Sequence, residues 1–330
     1  MYPDRLLVTL KVPDEGGEAH LERVEGGFRS ARTGATFADI DGVPSLLGGS
    51  GATDDGGVAD RIRGFYEENP FPGYEGLEDF SELVRKGFSN AFSRNLLDCV
   101  GYNKTVLEVG CGTGQLSNFL QLNNNYVLGV DLSLASLGLA LEHKRRNRLA
   151  RCAFIQMNVF DLAVRDASFD VVISHGVLHH TFDAHRAARL ICRKLKPGGI
   201  LIIGLYNRFA RVPTWIRGKL IGLFGNRLDY VVRNRIEDRR KAQVWVNDQY
   251  RNPHETWHSI DEVLGWFAEN DIEFINCVPG ILGTEGETAS NFLAPSSPGN
   301  RYQRVVTELG WMASISREGG LFDMVGRKCL

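Results

Sequence analysis

Between residues 105 and 207, short apolar runs alternate with amphipathic stretches, and this rhythm leaves few folds open. The runs are TVLEVG (105–110), YVLGVD (126–131), AFIQMNV (153–159), DVVISHG (170–176) and ILIIGLYN (200–207). Between them lie GQLSNFLQLNN, SLASLGLALEHKRRN and AHRAARLICRKL, the last closed by KPGG. Runs of Val, Ile and Leu without polar alternation belong to strands buried on both faces, with helices as the crossovers. The pattern predicts a doubly wound, parallel α/β sheet. A helix at 259–270, a strand EFINCVP and a last strand GLFDMVGRK extend it to seven strands.

The first strand runs into VLEVGCGTGQL (106–116), with glycines at 110, 112 and 114. Such a turn brings backbone close to a nucleotide, and the spacing narrows which one. A dinucleotide turn, G-x-G-x-x-G, needs a third glycine where this chain has Gln115. A phosphate loop, G-x-x-x-x-G-K-[ST], is absent from the sequence. Glu108 stands two residues before the first glycine and suits a cationic ligand end better than a pyrophosphate. Asp131, 21 residues beyond Gly110, closes the second strand, where an acid can accept both hydroxyls of a ribose. A ribose joined to a cationic, amino-acid-like end describes S-adenosylmethionine.

With these residues the chain resembles the class I, Rossmann-like methyltransferases that use S-adenosylmethionine, of the type 11 and 12 kind, over 61–330. LEVGCGTG is similar to the first motif of that family and GVDLS to the second. FDVVISHGVLHH is similar to its fourth strand and following loop, and LKPGGILII to the approach to its fifth. The resemblance implies that Glu108 holds the methionine end through water or backbone. The turn Gly110, Cys111, Gly112, Thr113, Gly114 and Gln115 would wrap that end. Asp131 would bind the ribose and Leu132 would lie against the adenine. Asn158 stands where relatives often carry an aspartate for the adenine amino group, although alone it also reads as a turn residue. Val159 would offer its N–H to the ring, and His175 and Tyr74 would complete the cofactor contacts.

The loop SHGVLHHTFD follows the fourth strand and should border the transferable methyl group. It holds His175, His179 and His180. An imidazole there can act as general base, with His179 the first candidate, or can simply pack and cap. Methyl transfer needs in-line positioning above all, so a base is not obligatory. Tyr206 and Asn207 follow the fifth strand and are expected to face the same pocket. ENPFPGY (68–74) interrupts a helical region with two prolines, and Tyr66, Phe71 and Tyr74 either close over the ligand or pack on the first helix.

A helical insertion spans 208–256. Its part 208–251 carries eleven Lys and Arg against four acids, an excess of 7 in a chain of net charge −2. It could cover an anionic small substrate, rest on RNA phosphates, lie on a membrane surface, or present a solvated basic face. In NDQYRNPHETWHS (247–259), Tyr250, His254 and His258 are candidates for the substrate pocket. His254 and His258 are four apart, but no third ligand accompanies them and no metal is expected.

Residues 1–50, with the short alternating runs LLVTLKV, GGFRSA and ATFADI, read as a small β-rich module of strands, and 51–60, within GGSGATDDGG and beyond, as a linker. LERVEGGFRSARTGATFADIDGVPSLL resembles a Trm112-like zinc ribbon that ends in DG[IV]PxLL. Its metal cysteines are missing: their places hold Leu6 to Val12 and Ser30 to Thr33. The six cysteines form no CxxC pair, which reads as reduced thiols. The N-terminus lacks the pattern of a secretion signal, and no apolar stretch approaches the ~20 residues of a membrane span, so a cytoplasmic location is expected. The expected activity is methylation of a small-molecule metabolite or biosynthetic intermediate. RNA methylation through the basic insertion is the alternative, although N-P-P-[YF] is absent after the fourth strand. A non-catalytic partner subunit that binds S-adenosylmethionine is the third reading.

Overall fold

The computed structural model describes residues 3–13, 20–47, 57–236, 238–283 and 291–330, and they form two sheets. The smaller is antiparallel and follows chain order: β1 (Leu21–Val24), β2 (Gly27–Ser30), β3 (Thr36–Ile40) and β4 (Val43–Pro44). The larger contains β5 (Thr105–Val109), β6 (Tyr126–Asp131), β7 (Cys152–Gln156), β8 (Phe169–His175), β9 (Leu195–Tyr206), β10 (Ile272–Val278) and β11 (Leu321–Lys328). Its order is β10-β11-β9-β8-β5-β6-β7, with β5 to β9 parallel and β11 antiparallel to both neighbours. The expected seven-stranded α/β fold is therefore present. Every residue of β5 and β7 is buried, which is why those runs lack polar alternation.

From β5 the chain builds outward to β6 on one side and later to β8 on the other. Their carboxyl ends therefore flank a topological switch point, where open α/β sheets take their ligands.

Two details differ from the sequence reading. LLVTLKV does not form a strand: Asp4–Leu7 is one helical turn, and Leu6 and Leu7 donate to the Pro3 carbonyl at 2.9 and 3.1 Å. The apolar residues of that run serve docking instead, with Leu6, Leu10 and Val12 buried in the same core as Ile155 and Val164. The third parallel strand ends at Gln156, before the expected residue 159, because Asn158 turns the chain by pairing with Asp161. Residues 48–56 of the expected linker lie outside the described residues, and 58–60 already belong to the helix Val58–Glu68.

The small module is joined to the margin of the main sheet. The Leu46 N–H donates to the Gln156 carbonyl at 2.9 Å, and the Ser45 hydroxyl donates to Gln156 Oε1 at 2.7 Å. Lys11 N–H donates to the Ala163 carbonyl at 3.0 Å, and Phe28 and Leu46 enter the core behind β7. These contacts cover backbone that a bare edge strand would expose.

The insertion after β9 consists of the helices Arg211–Phe224, Tyr230–Arg235 and Arg239–Tyr250. The helix Ile260–Glu269 starts at a capping box made by Ser259 and Glu262. Among the described residues, no helix is long and apolar enough to cross a membrane. All six cysteines are free thiols.

Candidate functional site

A cavity of about 650 Å³ lies beyond the carboxyl ends of β5, β6 and β8. The last turn of β5 contributes Glu108, a buried carboxylate that accepts from the Ser117 hydroxyl. Burial pushes the Glu108 carboxyl up to about 7, with the Ser117 bond opposing the shift. Asp131 ends β6. Its Oδ2 accepts from Gly112 N–H at 2.8 Å and its Oδ1 from Ser133 N–H at 2.9 Å, so one carboxylate fixes both the glycine turn and the next helix. Burial raises Asp131 above the usual carboxylate range, although those backbone donors oppose the shift. Two acids of unequal strain thus face one cavity.

The glycines are needed by the protein itself. A Cβ on Gly110 would lie 2.4 Å from the Val177 methyls. At Gly112, where φ is +52°, a Cβ would lie 2.5 Å from the Phe71 carbonyl oxygen. The turn is therefore pressed between the loop after β8 and the ENPFPGY segment.

That segment forms one flap of the cavity. The Pro72 carbonyl accepts from the Thr113 hydroxyl at 2.6 Å, and the Gly73 carbonyl from Gln115 Nε2 at 2.7 Å. The insertion forms the other flap, and the two meet. The Tyr66 hydroxyl donates to Asp248 Oδ1 at 2.9 Å, Asn247 Nδ2 to Asn69 Oδ1 at 2.8 Å, and Lys241 Nζ to the Glu75 carbonyl at 2.9 Å. Beneath them Phe71 and Trp245 approach with ring centres 6.4 Å apart.

Of the residues expected to hold a cofactor, Glu108, Gly110, Cys111, Gly112, Gln115, Asp131, Leu132, Asn158, Val159 and His175 border this cavity. Thr113, Gly114 and Tyr74 do not border it. Thr113 is spent on the flap, and Tyr74 stacks on His143 at 4.4 Å while accepting from Asn118. Asn158 behaves partly as a turn residue, its Oδ1 accepting from Phe160 N–H at 3.0 Å.

The three histidines separate by hydrogen bonding. His179 is fully buried and off the cavity; its Nδ1 accepts from Tyr206 N–H at 3.3 Å, and its ring stacks on Tyr206 at 3.9 Å. That bond leaves Nε2 as its donor, toward His180 Nε2 at 3.1 Å, and His180 Nδ1 in turn donates to the His254 carbonyl at 2.8 Å. Burial lowers both rings, so both are neutral and hydrogen-bonded within the protein. His175 borders the cavity, holds Asp323 through Nδ1 at 2.7 Å and lies 4.0 Å from the Phe92 ring. Burial lowers it, but the charge and hydrogen bond of Asp323 outweigh burial, and the net shift is upward.

Tyr206 also borders the cavity, but the expected substrate residues do not. Asn207 donates to Glu308 at 2.8 Å and accepts from Phe209 and Ala210 N–H, which fixes the chain after β9. The Tyr250 hydroxyl donates to Asp229. His258 is held on both ring nitrogens, by Glu262 at 2.9 Å and Thr256 at 2.8 Å. His254 contributes its carbonyl to His180, as above. The four positions brace the insertion instead.

Sequence reasoning missed other residues at the cavity. The Phe160 and Phe182 rings meet at 4.2 Å, tilted by 37°, beside Asn158, and Asp248 and Trp245 reach in from the insertion. Phe182 lay inside a loop already singled out, SHGVLHHTFD, and Phe160 directly follows the run AFIQMNV. Nothing in the local pattern distinguishes Trp245 or Asp248. Glu67 was also unforeseen: its carboxylate accepts from Leu134 and Ala135 N–H at 2.6 and 2.9 Å, capping the helix after β6. Among the described residues, no group of three or more His, Cys, Asp or Glu side chains is arranged to hold a metal.

Comparison with known proteins adds to this geometry. Residues 107–203 match the family model of a methyltransferase domain. An uncharacterized protein of Synechococcus sp. is 28% identical over 198 residues, covering 52% of this chain and 47% of that protein. A ubiquinone biosynthesis O-methyltransferase of Bradyrhizobium diazoefficiens is 30% identical over 130 residues, covering 38% of this chain and 49% of the enzyme. The chain thus spans about half the length of these two curated relatives. Among solved structures, a Haemonchus contortus phosphoethanolamine N-methyltransferase, in complex with phosphomonomethylethanolamine and S-adenosylhomocysteine, is similar at a TM-score of 0.49 and 15% identity. That similarity covers 82% of this chain and 60% of the other. The match to a methyltransferase domain covers residues 107–203, which include Glu108, the glycine turn, Asp131, Asn158 and His175.

Proposed function

We propose that this chain, built on its methyltransferase domain, moves the methyl group of S-adenosylmethionine to a small organic acceptor held beneath the two flaps. The observation that carries the reading is a cavity with Glu108 near the end of β5 and Asp131 at the end of β6. A cationic amino-acid end fits beside Glu108, whose burial makes an unpaired negative charge costly and a positive neighbour welcome. The ribose fits at Asp131, whose backbone bonds leave lone pairs on both oxygens. Leu132, Val159 and the pair Phe160–Phe182 offer apolar surface to a purine. The cavity volume lies within the usual range for small-ligand sites, roughly 300–1,000 Å³.

When bound, the cofactor supplies a sulfonium whose methyl carbon is open to in-line attack. The contributions of the chain are positioning and exclusion of water by the flaps. His175, braced by Asp323, is placed to take a proton from the acceptor at Nε2, and we assign it that role ahead of His179 and Tyr206. A small acceptor suits flaps that meet through Tyr66–Asp248 and Asn69–Asn247. RNA methylation is the weaker reading: Arg211 is buried and Arg217 is turned inward to Asp229, which removes two cations from any phosphate-binding face.

Calorimetry with S-adenosylmethionine and S-adenosylhomocysteine tests the cofactor assignment. Asp131→Asn is expected to weaken both roughly 10- to 100-fold, since a charge-assisted hydrogen bond contributes about 1.5–3 kcal/mol. Absence of binding to the unaltered protein would end the proposal. Consumption of the cofactor only with RNA, suppressed by salt, would reverse the choice of acceptor.

A further inference from the structure

We propose that the exposed face of the helix Arg211–Phe224 seats this protein on the surface of an anionic lipid bilayer. Trp215, Ile216, Leu220 and Leu223 are 51%, 48%, 41% and 78% exposed. At the ~100° per residue of an α-helix they share an arc of about 140°. Four large apolar side chains on one open helix face form a contiguous patch, unlike the scattered single residues normal on a surface.

The opposite face of the helix is firmly held. The Thr214 hydroxyl donates to the Ser316 carbonyl at 2.7 Å, Ile221 is buried, and Gly218 lies against the Tyr250 ring, which a Cβ there would approach to 2.8 Å. The open face therefore belongs to an anchored helix.

Charge selects the occupant. The helix contains no acid, and Lys219 lies within the apolar arc with its ammonium 5.5 Å from the centre of the Trp215 ring. A tryptophan, aliphatic residues and a long cationic side chain on one face suit the boundary between lipid headgroups and acyl chains. Two of the four acids of the insertion, Asp229 and Asp248, are buried. Arg208, Lys219, Arg233, Arg239, Lys241 and Arg251 are exposed, against the single exposed acid Asp238 among the described residues of 208–251. The exposed charge of the described insertion residues is thus mainly basic in a chain of net charge −2.

A second copy of the chain suits the face poorly, because a two-fold contact centred on this arc brings Lys219 toward its own image. An RNA strand suits it poorly as well. Of the four side chains only Trp215 offers a ring, and Ile216, Leu220 and Leu223 give successive bases nothing to stack on. The surface does not depend on what fills the cavity, so its test needs no acceptor and no turnover.

The test is flotation of the full chain with vesicles of phosphatidylcholine alone and with vesicles that include phosphatidylglycerol. Binding is expected to the anionic vesicles at low salt and to fall as salt screens the attraction. Leu223→Asp and Lys219→Glu are each expected to reduce the bound fraction roughly tenfold, given the apolar and charge contributions to interfacial binding. Both residues are exposed, and an unchanged melting temperature will report an intact fold. Failure to float with anionic vesicles overturns the proposal, and so does undiminished binding by both variants. A dimer that Leu223→Asp dissolves, without vesicle binding, assigns the face to a second copy and equally overturns it. RNA retention without vesicle binding does the same.

Discussion

Replacing Glu108 with glutamine is expected to stabilise the ligand-free protein at alkaline pH while weakening its hold on S-adenosylmethionine roughly 100-fold, the weight of a lost pairing with a cationic ligand end of about 3 kcal/mol. The stability effect follows from the raised carboxyl, which titrates near 7 in the fold against 4.5 for an ordinary glutamate. Between those pH values the folded chain keeps a proton that the unfolded chain has released. Fewer protons on the unfolded state mean that stability falls as pH rises through this window and reaches its full deficit above 7. A shift of that size corresponds to roughly 3 kcal/mol. Glutamine carries no charge to desolvate and its amide oxygen can still accept from Ser117, so the variant escapes the deficit. Thermal melts at pH 8 should place the variant about 6 °C above the parent, at roughly 2 °C per kcal/mol for a chain of this size. At pH 5 the two curves should nearly coincide. Coincident melts at both pH values would show that burial does not strain this carboxylate.

Arg211→Met is expected to cost the fold about 3–5 kcal/mol, the usual penalty for removing one partner of a buried ion pair. Arg211 is 1% exposed, and every one of its donors is used. It bonds Glu255 at 3.2 and 2.6 Å, Gln249 Oε1 at 3.0 Å, the Gln249 carbonyl at 2.7 Å and the Gly319 carbonyl at 3.0 Å. Its guanidinium carbon also lies 3.7 Å from the centre of the Tyr206 ring, at the wall of the cavity. Methionine fills similar space but removes the donors of Glu255 Oε2, of Gln249 Oε1 and of two carbonyls, and leaves Glu255 only the Trp257 Nε1–H at 2.8 Å. The paired change Arg211→Met, Glu255→Leu should recover more than half of the loss, because it removes the orphaned charge as well. Urea unfolding of the three proteins measures this. A single variant within 1 kcal/mol of the parent would be incompatible with the network described.

The alternation over 105–207 made the sheet legible, because strands buried on both faces carry a continuous apolar signature. Glu108 and Asp131 could be placed at the cavity because each ends a strand beside the switch point, so their position follows from topology alone. The sequence put His179 first among the histidines without a physical means of separating them. His175, His179 and His180 share a loop, and only Asp323, more than a hundred residues away, singles out His175. Asn207, Tyr250 and His258 were misjudged for a related reason. Their partners Glu308, Asp229 and Glu262 use the polar atoms that a ligand would need, and two of those partners are remote in the chain. LLVTLKV was read as a strand because apolar alternation describes burial on one side, which a docked helical turn followed by a single bridge can also satisfy.

The stitching of Ser45 and Leu46 to Gln156 gives the first residues a protective office. A chain shortened to begin at residue 57 would leave the rim of β7 open and uncover the apolar side chains that Leu6, Phe28 and Leu46 now shield. Such a remnant could still contain every group of the cavity, yet it would recruit strands from its neighbours and precipitate as it was made.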